Sequence, residues 1–129
     1  MTALTTGRAT PRRAGQSLSD PLAALAVIFA GAMYALDAAG NAVTATSAGL
    51  VVRGVAEENA NQAQGDTNVK GSVGIYRFGN DTTGPFTRAD IGAVANVLDD
   101  QTVTRSPGAV AGKVFDIDDL SGEVWVHIG

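Results

Sequence analysis

The chain is predicted to be all-β: a small β-barrel or β-sandwich of about eight short strands and one helical turn, with an extended N-terminal arm. Two observations carry this. The last third divides into Asn96–Val103, Ala111–Asp119 and Gly122–Ile128, three strand-like runs bounded by Gly or by Asp-rich corners. The 129 residues also include 16 glycines and only 5% aromatics, which suits thin strands, frequent turns and a light aliphatic core. A core that light gains stability from assembly.

In chain order, residues 1–19 are rich in Thr, Ser, Arg, Gly and Ala and have no apolar period. They are expected to form an extended arm, disordered when free. Residues 20–129 form the β domain. Ala26–Phe29 is a short apolar run closed by Gly31, and Ala32–Asp37 follows. Gly40-Asn41 then turns the chain into Ala42–Ala45, because both residues tolerate positive φ. Propensity alone would allow a helix over Leu22–Ala39. Gly31 in its middle, and the β-branched and aromatic Val27-Ile28-Phe29, favour strands.

Gly49–Glu58 reads as the next strand and Asn59–Asp66 as a polar loop without an apolar anchor. Asn68–Phe78 reads as one long strand whose glycines, Gly71 and Gly74, mark a bulge or a close backbone approach. Its parity breaks: Val73 and Ile75 share one face, Tyr76 and Phe78 the other. Either both faces are covered or a bulge shifts the register. Residues 79–85 form a loop. Thr87–Asp90 has capping-box spacing and opens a helical turn that stops at Gly92. Strands over about 94–98, 110–118 and 123–128 finish the chain.

Composition restricts function. With no cysteine, disulfides, thiolate metal sites and thiol catalysis are excluded. The net charge of −4 is polarised: Arg8, Arg12 and Arg13 make residues 1–19 basic, and 13 acidic against 6 basic residues leave the remainder at −7. Such a body is a poor match for nucleic acid, whose phosphates require clustered Lys and Arg. The basic arm suits an acidic protein surface. Pro21–Leu36 is uncharged but only 16 residues long and closed by Asp20 and Asp37, short of the roughly 17–25 residues of a spanning helix. An export signal from Arg12-Arg13 through Leu22–Phe29 to Ala30-Gly31-Ala32 is disfavoured by Asp20 between its basic and apolar parts.

Chemistry-bearing residues are sparse. Asp116, Asp118 and Asp119 raise a calcium loop, but ligands alternate over only two positions and Gly122 falls one place late, so a water-facing strand and an Asx-type turn are expected. His127, the single histidine, has no second histidine to complete a metal set and no serine elbow to serve. No catalytic residue, metal or cofactor is expected. Val124, Val126 and Ile128 alternate with Trp125, so Trp125 shares its face with Glu123 and His127. That face is a subunit or partner interface, or else the strand is buried on both sides.

Several ordered phrases carry a likeness: Ala30–Val43, Arg53–Glu58, Gly74–Asn80, Val97–Val103, Val110–Val114 and Glu123–Val126. Over most of residues 29–128 the chain resembles head decoration (cement) proteins of tailed bacteriophages, of the kind encoded beside the major capsid protein in Mu-like phages and prophages. The resemblance implies a non-enzymatic virion protein on the outer surface of the head, present in the host cytoplasm during assembly. It implies a homo-oligomer, often a trimer, that bridges neighbouring major capsid subunits. Arg8, Arg12 and Arg13 would then serve a capsid-binding arm, and Trp125, His127 and Glu123 a subunit or capsid interface. No nucleic-acid or membrane partner is expected. The alternative is an interaction module of a phage tail or fibre, or an exported cell-surface β domain.

Overall fold

The structure, a computed structural model, describes residues 2–3, 5–9 and 15–129. Twelve strands and two short 3-10 turns form the regular structure of the described residues, and there is no α-helix among them. The strands are β1 (Ser17–Pro21), β2 (Val27–Ile28), β3 (Met33–Leu36), β4 (Ala42–Thr44), β5 (Val52–Ala56), β6 (Ala60–Asn61), β7 (Asn68–Ser72), β8 (Gly74–Asn80), β9 (Val94–Asp99), β10 (Thr102–Thr104), β11 (Val110–Ile117) and β12 (Val124–Ile128).

Between barrel and sandwich, the structure selects a closed five-stranded barrel, β10-β8-β12-β11-β9. It packs beside an antiparallel sheet of order β1-β7-β5-β3-β4, and β2 pairs with β6. Closure removes the unpaired edges an open sheet of short strands would present. One core cluster joins the two halves: Met33, Val52 and Val55 from the sheet pack with Phe78, Val97, Val114, Val124, Val126 and Ile128 from the barrel. A second, smaller cluster surrounds the fully buried Tyr34.

Residues 22–39 are strand and turn, as Gly31 indicated. Gly31 takes φ +86° and its N–H donates to the Ala56 carbonyl, a turn a helix could not contain. The Gly40-Asn41 hairpin is present, with Asp37 Oδ1 accepting from the Ala39 and Asn41 amides. The Thr87–Asp90 turn is also as expected: the Thr87 N–H donates to Asp90 Oδ2 at 2.7 Å.

Four expectations require correction. Residues 17–19, assigned to the arm, belong to β1, paired antiparallel with β7 from Ser17↔Ser72 to Pro21↔Asn68. The long strand 68–78 is two strands. The chain leaves the sheet at Val73, whose N–H donates to the Gln16 carbonyl, and enters the barrel through Gly74 at φ +154°. That single irregular step is the parity break: Val69 and Gly71 point into one half, Tyr76 and Phe78 into the other. Residues 59–66 are not an unanchored loop, because Ala60 is buried in β6 and Asn61 caps a 3-10 turn over Gln62–Gln64. Finally, β10 closes the barrel, parallel to β8 and antiparallel to β9, where no strand was separately expected.

Candidate interaction surface

β12 sets the surface. Its alternation sends Val124, Val126 and Ile128 into the core, fully buried, and leaves Trp125 half-buried and His127 exposed on the outside. Register then assembles the neighbours. Across β8, Trp125 faces Arg77 and His127 faces Ile75; across β11, His127 faces Lys113; across β9, Lys113 faces Val94. A bulge in β11 between Val114 and Asp116 turns Phe115 outward, where it is 54% exposed. Four strands therefore present Val94, Phe115, Ile75 and Trp125 on one curved outer face, with the Lys113 cation among them.

Arg77 organises one end of this face. Its Nη1 donates to Asp118 Oδ2 at 2.7 Å, its Nε lies 3.2 Å from Glu123 Oε1, and its guanidinium carbon sits 5.7 Å from the Trp125 ring centroid. The stacked, doubly paired cation fixes the orientation of the indole at the cost of little freedom. The Ser121 and Leu120 amides, then Arg77, hold the Asp118 carboxyl below the usual carboxylate range. Asp118 Oδ1 accepting from Leu120 and Ser121 is the expected Asx-type turn. Asp116 accepts from Arg88 Nη1 at 3.1 Å. Among the described residues no group of three or more His, Cys, Asp or Glu is placed to hold a metal ion.

A second apolar stripe went unnoticed in the sequence. In the segment around β2, Ile28 is buried, whereas Leu25, Val27 and Phe29 point outward at 77%, 41% and 60% exposure. The signal is the alternation of Leu25, Val27 and Phe29 with Ala26 and Ile28, which the uniformly apolar composition of the run hides. Phe29 rims an open depression of about 420 Å³ lined also by Ala32, Arg77, Asp100, Gln101 and Glu123. The depression thus connects the stripe to the Arg77 end of the barrel face.

Of the residues named from sequence, the structure brings Trp125 and Glu123 together through Arg77 and places His127 one register row away, beside Lys113. Arg8 is exposed, while Arg12 and Arg13 lie outside the described residues. Sequence reasoning missed Val94, Phe115 and Ile75, since each reads locally as another core hydrophobe. None of the described helical segments is long and apolar enough to cross a membrane. What the arrangement offers is contact chemistry: apolar area, one stacked guanidinium and the Lys113 ammonium between His127 and Val94, the groups that protein–protein interfaces use.

Comparison with protein-family models, with curated proteins and with solved structures gives no match to the chain.

Proposed function

We propose that the protein is a structural virion component: a head decoration protein that binds the outside of a tailed-phage capsid as an oligomer and bridges neighbouring major capsid subunits. The observation that carries this reading is the outer barrel face, where Ile75 and Val94, in the register row of His127 and Lys113, and the bulged Phe115 stand 41%, 51% and 54% exposed on the same side as Trp125. An apolar face ordered by the strand register supports a contact surface. The phrases of residues 29–128 that resemble decoration proteins supply the kind of partner. A module that engages two shell subunits at once stabilises a closed lattice by effective concentration, without needing high affinity at either contact.

Electron microscopy of the native particle, with the chain labelled at its C-terminus, tests the reading. Density for the label on the outer head surface at repeating lattice positions is the expected result. A label confined to the tail would replace this function with that of a tail component. A particle without the chain would overturn a virion role altogether.

A further inference from the structure

We infer that β1 is an exchangeable strand, donated by one copy of this chain to the sheet of a second copy. This is independent of the capsid reading. Four observations lead to it. β1 is the edge strand of its sheet and pairs only with β7, about fifty residues away in sequence, so every ladder bond it makes can equally be made between chains. It is the first strand among the described residues, so no other described strand must move with it.

Third, β1 carries a specific key. Asp20, only 6% exposed, accepts from the Tyr34 hydroxyl at 2.9 Å and pairs with Arg53 Nε at 3.2 Å. This lock sits entirely on β3 and β5 and recognises the strand from either source. Fourth, the link to β2 is strained. Ala23–Ala26 is a turn closed by the Ala26 N–H on the Ala23 carbonyl, and its third residue, Leu25, has φ +62°. Leu25 is the single non-glycine residue with positive φ among the described residues, at a turn position that ordinarily takes Gly or Asn. Opening this hinge frees Leu25 from the left-handed region, and reseating residues 17–23 on the partner, β1 on its β7 and the Leu22 and Ala23 amides on its Thr67 and Ala42 carbonyls, restores every bond. Strained hinge loops of this kind favour exchange between copies.

The cysteine-free chain allows a direct test. Equimolar Ser17→Cys and Ser72→Cys single variants are unfolded together, refolded and oxidised, because Ser17 and Ser72 are register partners. Exchange predicts a mixed disulfide dimer, joining position 17 of one chain to position 72 of the other, several-fold more abundant than either symmetric dimer, its yield rising with concentration. Adding Leu25→Asn to both chains should lower that yield several-fold by relaxing the closed hinge. Light scattering of the unmodified chain and of Leu25→Asn alone gives a second readout that needs no engineered thiol, with the larger species depleted in the variant. A mixed dimer at no more than the roughly two-fold excess that random pairing of equimolar thiols gives, with the same mass distribution for both chains in scattering, would overturn the exchange.

Discussion

Leu25 concentrates the conflict between local preference and fold. A left-handed backbone costs a bulky residue about 1 kcal/mol, and at 77% exposure the side chain recovers little of it by burial. Leu25→Asn should therefore stabilise the chain by roughly 0.5–1 kcal/mol, seen as a higher urea midpoint with unchanged slope. Gly71 shows the reverse dependence. A Cβ there would stand 2.5 Å from the buried Tyr34 hydroxyl, so Gly71→Ala overpacks the smaller core and should destabilise by about 1–3 kcal/mol in the same measurement. The sequence marked Gly71 as a bulge or a close approach, and the close approach is what the structure contains. Nothing near Leu25 marked it as strained, because the turn closed locally by Ala26 on Ala23 is held in place by a distant residue: Gln62 accepts from the Leu25 N–H through its side chain and donates its own N–H to the Ala26 carbonyl.

At the scale of elements, β1 is held by chemistry that pH can read. Burial, then the hydrogen bond to Asp20, pushes the Tyr34 phenol well above its ordinary value. The folded state thus holds this proton more tightly than the unfolded chain does. Its contribution is complete below about pH 10 and is lost as pH rises above it, with a slope of about 1.4 kcal/mol per pH unit for one proton. Tyr34→Phe should remove that slope between about pH 10 and 12, and at neutral pH cost about 1–3 kcal/mol through the lost bond to a charged acceptor. Chemical denaturation across that range checks both effects. Elements differed in how clearly they were written. β12 was legible because Val124, Val126 and Ile128 alternate cleanly with polar or amphipathic neighbours, and Thr87–Asp90 because a capping box is local. β6 and β10 were not, since two or three residues carry no periodicity; β6 is defined by the distant β2, and β10 by the distant β8 as well as the adjacent β9. β1 was concealed by composition: Ser-Leu-Ser-Asp-Pro looks like a tail until Tyr34 and Arg53 are placed around Asp20.

The whole molecule separates into an exposed apolar barrel face and an end tied by carboxylates. At that end the Thr104 hydroxyl and Thr83 amide hold the Asp81 carboxyl below its usual range, and the Thr87 amide together with Arg105 does the same for Asp90. With Asp118, three native carboxylates bind protons more weakly than their unfolded counterparts. Their stabilisation is present above about pH 4 and disappears as pH falls through the native values, so the melting temperature should hold to about pH 5 and fall below about pH 4. Calorimetry from neutral pH down into the acid range measures this. The outer barrel face should respond differently. Val94 and Phe115 are more than half exposed, so replacing both with Ser forfeits little burial, and the unfolding midpoint should move by no more than about 0.5 kcal/mol per site. The fold does not need these side chains; a partner would. Co-sedimentation of the Val94→Ser/Phe115→Ser chain with phage heads should therefore fall at least ten-fold relative to the unsubstituted chain, with Trp125 still stacked on Arg77 and its fluorescence unchanged in the free protein. Unaltered head binding would locate the contact elsewhere, and the exposed Leu25–Val27–Phe29 stripe would then be the surface to substitute next.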